Sequence, residues 1–135
     1  MKKKIIIIAA VVVCAVLIVL LALSGQKPYK ALSASDIVSA TVHLAPPDKT
    51  IQIADADIEE LVSCLNEIVV YNEDNSCTEY SGQAVIFTLT MVDGSQEEIT
   101  AYNPFVIING TGYKTKYEPC EKLNNYANKL LGQAK

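Results

Sequence analysis

Residues 83–102, QAVIFTLTMVDGSQEEITAY, decide the fold. Apolar and polar residues alternate over 83–92, which is typical of a strand with one face in the core. Asp93-Gly94 follows, a strong hairpin-turn signal, because glycine accepts the positive φ that the turn requires. Residues 96–102 then return as the partner strand. This hairpin predicts an antiparallel sheet, because strands joined by a tight turn run in opposite directions.

The chain after this hairpin predicts a second hairpin and a closing helix. Asn103-Pro104 interrupts the strand pattern. Residues 105–108 and 111–117 then flank Asn109-Gly110, a favoured pair for a two-residue turn. Pro119 suits the first turn of a helix, because its missing N–H has no intrahelical partner there. The apolar stripe of this helix comprises Cys120, Leu123, Ala127, Leu130 and Leu131.

Two strands and a helix are predicted before the central hairpin. Residues 37–44 alternate in polarity, and a short strand resumes at 50–53. The two prolines within 45–49 separate them, because proline has no N–H to donate to a strand partner. Residues 57–71 carry apolar side chains at three- and four-residue steps, which predicts an amphipathic helix. Residues 72–82 are polar and are predicted as a loop.

The predicted element order is β-β-α-β-β-β-β-α, an α+β arrangement. We expect one antiparallel sheet of five or six strands, with one face covered by the two helices. Without the first 24 residues about 110 remain, enough for one domain and one core. The predicted organisation is a basic tip at 1–4, a membrane-spanning segment at 5–23, a linker at 24–35 and a domain at 36–135.

A long apolar run begins the chain. Residues 5–23 contain no charge, glycine or proline, and a helix of this length spans roughly 28 Å, close to the hydrocarbon core of a bilayer. Lys2, Lys3 and Lys4 precede the run and hold the N-terminus in the cytoplasm. We therefore expect a single-pass signal-anchor in the cell membrane, with the C-terminal domain outside.

Two processing events compete with a permanent anchor. Lipidation at Cys14 is not expected, because β-branched Val13 occupies the position where lipoprotein leaders have a small residue. Cleavage after Ser24 stays open, since Ala22-Leu23-Ser24 has small residues at the two positions that signal peptidase requires. The apolar run is longer than the roughly 7–15 residues usual in a cleaved leader, which favours the anchor.

Charge is unevenly distributed along the chain. Three of the 11 lysines precede residue 5, and all 15 carboxylates follow residue 24, so the part from Gly25 onward has eight lysines, no arginine and a formal charge of −7. Such a domain repels phosphate backbones, which argues against nucleic-acid binding. Its net charge also gives no attraction to an anionic lipid surface. An acidic, arginine-free domain favours solubility, cationic ligands or basic partners, and an ordinary solvated surface is the alternative.

Four short segments carry a resemblance to a known group of proteins. They are Ile51-Gln52-Ile53-Ala54-Asp55, the run from Ile58 to Leu65, Val92-Asp93-Gly94-Ser95 and Ile107-Ile108-Asn109-Gly110. In these segments the chain resembles small membrane-anchored extracytoplasmic domains of unknown function from Gram-positive, clostridial-type bacteria. The resemblance covers most of residues 37–131 and implies a location outside the membrane. It implies no activity and no cofactor.

Three cysteines lie in the extracytoplasmic part, where disulfides can form. The helix bearing Cys64 is followed by a polar loop bearing Cys77, and a loop that folds back would bring the two together. Cys64–Cys77 is therefore the candidate disulfide. Three unpaired thiols are the alternative, because Cys120 lies on an apolar stripe and reads as a core residue.

Tyrosine is the commonest aromatic residue, with seven tyrosines, two phenylalanines and no tryptophan. Tyr113 and Tyr117 are predicted on one strand face, and Tyr102 lies before the Asn103-Pro104 break. These three tyrosines form a candidate binding surface for a peptide or glycan. Tyrosines at the rim of a small core are the alternative.

No motif for catalysis, metal or cofactor binding stands out. His43 is the only histidine and is expected as an exposed strand residue, so a cysteine nucleophile has no evident base. The acidic loop at 72–79 supplies oxygens for calcium but lacks the glycine and spacing of a calcium loop.

The function expected from the sequence is non-enzymatic binding at the outer side of the membrane. The bilayer is the expected partner of the N-terminal helix, and a protein, peptide or envelope component is the expected partner of the domain. The alternative is a soluble secreted inhibitor or ligand protein released by cleavage after Ser24. A hydrolase ranks third, because one histidine and no arginine leave little from which to build one.

Overall fold

The structure is a computed structural model, and it describes residues 2–134 apart from the side chains of residues 21–23. Three α-helices are present: α1 (Lys2–Leu23), α2 (Ile58–Asn66) and α3 (Tyr117–Gln133). The strands are β1 (Ile37–Ala45), β2 (Lys49–Ile53), β3 (Val70–Glu73), β4 (Ala84–Met91), β5 (Gln96–Tyr102), β6 (Phe105–Ile108) and β7 (Thr111–Thr115). They form one sheet in the order β2-β1-β4-β5-β6-β7-β3.

The α+β class and the antiparallel sheet are confirmed. The hairpin of β4 and β5 pairs Phe87 with Ile99, and its turn contains Gly94 at a φ of 88°. The hairpin of β6 and β7 turns through Asn109 and Gly110, both at positive φ. A positive φ costs glycine little because it has no Cβ, so the Asp93-Gly94 pair directly predicts the turn between β4 and β5.

The predicted number of five or six strands is wrong, because the described sheet has seven. The additional strand is β3, whose residues the sequence pattern predicts as the end of a helix and the start of a loop. Helix α2 ends at Asn66, and Val70 instead pairs with Thr115 of β7 and with Gln26 on its other side. β-Branched Val69 and Val70 suit this extended edge, and the pairing that fixes it comes from distant parts of the chain.

The main core lies between the helices and one face of the sheet. Inward positions alternate along each central strand, and most of them are fully buried. The largest side chains with no appreciable exposure on this side are Phe87, Leu44, Ile53, Leu61, Leu65, Ile68, Leu89, Ile99 and Leu123. Helices α2 and α3 supply the apolar stripes that cover this face, as the sequence predicts.

The opposite face is crossed by residues 74–83, here called the crossing segment. Strand β3 lies at one edge of the sheet and β4 near its middle, so the connection must pass β7, β6 and β5. Ten residues reach far enough, since four strand spacings amount to about 19 Å. Tyr80 of this segment packs on Phe105, with ring centroids 5.2 Å apart, and its carbonyl accepts a hydrogen bond of 2.7 Å from the Tyr102 hydroxyl.

Residues 24–35, the expected linker, are attached to the domain at several points. Gln26 exchanges two backbone hydrogen bonds of 2.8 Å with Val70, and Tyr29 is buried in the core. The turn between α1 and this bridge contains Gly25 at a φ of 78°, where a Cβ would lie 2.6 Å from Val69. Only two residues therefore separate the end of α1 from the edge of the sheet.

Helix α1 has the length and composition of a membrane span. Over Lys2–Leu20 its mean hydropathy is 2.8, and none of that stretch is buried against the rest of the described chain. An N-terminal signal sequence has the same properties. The alternative cleavage site at Ala22-Leu23-Ser24 lies partly outside the described residues, since the side chains of Ala22 and Leu23 are not described.

Candidate functional site

A cleft of about 620 Å³ opens on the helical side of the sheet, between the N-terminal segment and the two hairpin turns. We call it the acidic cleft. Its apolar wall consists of Pro28, Ala31, Leu32, Met91, Val92 and Ile108. Its polar lining consists of Tyr29, Asp36, Asp93, Ser95, Glu97 and Asn109. This lining includes three carboxylates and no lysine, so the cleft carries negative charge beside apolar surface.

Glu97 is a half-buried carboxylate of this lining. It occupies an inward-facing position at the start of β5, on the same face as buried Ile99. Its Oε2 accepts hydrogen bonds from the Tyr29 hydroxyl at 3.0 Å and from Asn109 Nδ2 at 3.2 Å. Burial and the nearby Glu97 charge raise the pKa of Tyr29, so this hydroxyl stays protonated and acts as the donor. The second carboxylate oxygen has no partner among the described residues.

Asp36 and Asp93 also line the cleft. Asp93 Oδ1 accepts hydrogen bonds from the backbone N–H and the hydroxyl of Ser95, and these bonds lower the pKa of Asp93. Asp36 Oδ2 accepts from the backbone N–H of Ser33 at 2.9 Å. In each case one oxygen is used by a local turn, and the other has no hydrogen-bond donor among the described residues. The geometry therefore offers acceptors and negative charge to an incoming cation.

The N-terminal wall of the cleft is held by Asn66 at the end of α2. Its Nδ2 donates to the carbonyl of Tyr29 at 2.6 Å and to the carbonyl of Leu32 at 3.1 Å. The far end of the wall is held by Val92, whose N–H donates to the carbonyl of Asp36 at 2.9 Å. Together with the bond from the Tyr29 hydroxyl to Glu97, the Asn66 side chain and this backbone bond hold the segment that closes the cleft.

Replacing Asn66 by alanine is expected to release this wall. The Leu32 carbonyl loses its donor, and the Tyr29 carbonyl keeps only the Leu32 N–H at 3.2 Å, which costs about 1–2 kcal/mol for partly buried acceptors. Hydrogen exchange of the backbone amides at 29–36 should accelerate, while amides of β4 and β5 remain protected. Asn72→Ala is the matched control, because Asn72 is exposed and donates only weakly to the adjacent residue. Unchanged exchange at 29–36 in Asn66→Ala would contradict the assigned role.

The three tyrosines of the predicted binding surface do not come together. Tyr102 lies on the crossed face and donates to Tyr80, whereas Tyr113 packs against the main core on the helical side. Tyr117 is the first residue of α3 and is 61% exposed. The prediction failed because β7 ends at Thr115, so Tyr113 and Tyr117 do not share a strand, and because β-strand alternation separates Tyr102 from Tyr113.

The candidate disulfide is not formed, since Cys64 and Cys77 are both free. Cys64 is buried on α2, and burial raises its pKa. Cys77 belongs to the crossing segment and lines a cleft with Tyr102 and Ile107 on the other face of the sheet. The sheet therefore stands between the two thiols. Cys120 is buried as expected for a core residue, and burial raises its pKa to about 12.

His43 has two polar neighbours across the β1–β2 hairpin. Its Nδ1 lies 2.8 Å from the Thr50 hydroxyl, and its Nε2 lies 3.0 Å from Asp48 Oδ1. The order hydroxyl, imidazole and carboxylate resembles a hydrolytic triad. Thr50 and Asp48 sit on the exposed edge of the sheet, and the Asp48 side chain is 84% exposed. Exposure of this kind suits the closing of a hairpin rather than the activation of a nucleophile.

Sequence reasoning missed the acidic cleft. The alternation of β5 contained one signal. Glu97 lies on the same strand face as Ile99 and Ala101, which point into the core. A carboxylate at such a position requires partners. Those partners, Tyr29 and Asn109, lie 68 and 12 residues away in the chain.

Comparison of the chain with protein-family models, with curated proteins and with solved structures finds no match.

Proposed function

We propose that the chain is a non-enzymatic binding module, held at the outer side of the membrane by α1, whose acidic cleft takes a basic polypeptide segment. The observation that carries the proposal is the lining of the cleft, where three carboxylates face apolar surface and no lysine intervenes. Lysine and arginine side chains combine an apolar stem with a cationic head, which matches both parts of such a lining. The net charge of −7 beyond residue 24 attracts the same class of partner.

The size of the cleft supports a short segment rather than a large partner surface. A volume of about 620 Å³ is within the range of roughly 300–1,000 Å³ typical of ligand pockets. Two or three side chains of a bound peptide fill such a space. The membrane-anchored extracytoplasmic domains that the chain resembles provide the setting for this proposal, in which the partner is a protein or peptide of the cell envelope.

A charge-reversed pair of peptides tests the proposal. The full chain in neutral detergent micelles is mixed with a fluorescein-labelled (Gly-Leu-Lys)₃ peptide or its (Gly-Leu-Glu)₃ counterpart, and anisotropy is recorded. The lysine peptide should bind, and binding should weaken at acid pH as Asp93, whose pKa is lowered by its hydrogen bonds from Ser95, becomes protonated. Equal binding of both peptides, or of neither, would contradict the proposal.

The double variant Glu97→Gln/Asp93→Asn should weaken binding of the lysine peptide about tenfold, which corresponds to the loss of about 0.7 kcal/mol for each charge. Glutamine and asparagine keep an acceptor oxygen for Tyr29 and Ser95, so the fold is retained. Glu98→Gln is the matched control, because Glu98 is the next residue but lies on the other face of β5. A similar loss in Glu98→Gln would show that overall charge, and not the cleft, governs binding.

The alternative is a secreted protein released by cleavage after Ser24. The close attachment of α1 to the sheet supports the anchor instead. The Ser24–Gly25 bond lies between a helix end, where Ser24 N–H donates to the Leu20 carbonyl, and the Gln26–Val70 bridge. In the folded chain this bond is therefore flanked on both sides by backbone hydrogen bonds. A mature protein that begins at Gly25 and is recovered from the medium would favour the alternative.

A further inference from the structure

A second cleft, of about 400 Å³, lies where the domain joins α1. We call it the lysine cleft. Its lining consists of Lys27, Glu67, Val69, Lys116, Glu118, Pro119 and Lys122. Three of the eight lysines that follow the apolar run converge here, so the domain's negative charge is not evenly spread. The part of the surface nearest the anchor is the part richest in cations.

In the part of the chain that the structure describes, two of the three lysines lack a carboxylate partner. Lys122 Nζ lies 3.2 Å from Glu67 Oε2, and this contact raises the pKa of Lys122. Among the described residues, Lys27 and Lys116 form no ion pair. The pair of Lys122 with Glu67 neutralises one of the two carboxylates in the lining. Two lysines and one carboxylate, Glu118, remain in the lining, so the cleft has a net positive charge that favours an anion.

The position of the lysine cleft along the membrane normal follows from chain length. Residues 5–23 span roughly 28 Å as a helix, so Leu23 lies at the outer end of the hydrocarbon core. Lys27 is four residues further on, and its Cα is within about 14 Å of that end. Val69, on the cleft wall, approaches Gly25 closely. Gly25 is two residues beyond Leu23 and so lies within about 7 Å of that end, inside the headgroup layer, which is roughly 5–8 Å thick on each side of the core.

We infer that the lysine cleft binds the phosphate of an anionic phospholipid in the outer leaflet and so fixes the tilt of the domain on the membrane. Lysine is a common phosphate ligand, and its long stem lets the ammonium group reach headgroup level. The net charge of the domain alone argues against binding to an anionic lipid. The charges are separated, however, because these lysines lie at the membrane end of the domain whereas carboxylates line the acidic cleft. It rests on the proposed anchoring by α1.

The test uses the full chain in lipid nanodiscs of phosphatidylcholine, with or without about 30% phosphatidylglycerol. Hydrogen exchange is followed at the amides of Lys116 and Tyr117. Phosphatidylglycerol should slow exchange about threefold in the native chain, as expected when the local lipid concentration is about twice the dissociation constant. Lys27→Gln/Lys116→Gln should lose the effect, and Lys27→Arg/Lys116→Arg should keep it.

Lys49→Gln is the matched control, because Lys49 lies in β2 at the opposite edge of the sheet and should leave the effect intact. Equal exchange in the two lipids overturns the inference. Equal slowing by inorganic phosphate in phosphatidylcholine discs overturns the lipid assignment in favour of a soluble anion. A chain that elutes apart from the discs contradicts both the anchoring by α1 and the lipid site. A chain that elutes with the discs but shows no slowing by phosphatidylglycerol contradicts the lipid site alone.

Discussion

Replacing Phe87 by alanine is expected to lower the free energy of unfolding by about 4 kcal/mol, the largest effect of any single change considered for this chain. Phe87 has no solvent exposure and lies at the centre of the sheet, paired with Val42 on β1 and Ile99 on β5. Its ring also lies 6.3 Å from that of Tyr126 on α3. The substitution therefore leaves a cavity between the sheet and a helix, where little can move to fill it.

Denaturant unfolding of the full chain in detergent, followed by circular dichroism, measures this loss. Phe105→Ala is the informative comparison, because Phe105 is equally buried but lies under Tyr80 and Lys114 on the crossed face. The two losses should add to within about 0.5 kcal/mol, since the two rings occupy separate clusters. Strong non-additivity would show that both faces of the sheet belong to one core.

Replacing Gly112 by alanine is expected to lower the free energy of unfolding by about 3 kcal/mol, through overpacking and the loss of buried hydrogen bonds. An added Cβ would lie 2.6 Å from the carbonyl oxygen of Asp74 and 3.1 Å from Asn75 Oδ1. The Gly112 N–H donates to Asn75 Oδ1 at 2.7 Å, and its carbonyl accepts from the Asp74 N–H at 2.8 Å. The start of the crossing segment must therefore move away.

Displacement of the crossing segment uncovers Phe105 but leaves the helical face in place. Limited proteolysis of Gly112→Ala should accordingly cut first within 74–83, and helical content should persist. Gly132→Ala is the matched control, because a Cβ at this helical position meets no atom within 4 Å. It should be neutral or slightly stabilising. Equal stability of Gly112→Ala and the native chain would contradict the close packing of the crossing segment on β7.

Several structural features were predictable from local sequence. The Asp93-Gly94 and Asn109-Gly110 turns, the alternation of β4 and the periodicity of α3 each depend on residues within one or two turns of chain. Such signals act through backbone sterics and through the need to bury one face of an element. They are sufficient for the α+β class and the antiparallel sheet. The apolar run at 5–23 is local in the same sense, and it predicts a helix long enough for a membrane.

The candidate sites were not predictable, because each joins residues far apart in the chain. Glu97 meets Tyr29 across 68 residues, and the wall of the acidic cleft depends on Asn66, 37 residues from the carbonyl that it binds. The lysine cleft likewise joins Lys27 to residues of α3. Polar residues such as these carry no periodic signal that shows which neighbours they will find.

Sequence by itself determined the element types, the two tight turns and the apolar helix, since these depend on periodicity and on glycine at positive φ. Tertiary structure alone decided the seventh strand, the path of the crossing segment and the docking of residues 26–36 on the domain. The physical reason is that β3 and the N-terminal segment have weak local preferences. Their conformations are fixed by hydrogen bonds and burial that exist only when the rest of the sheet has assembled.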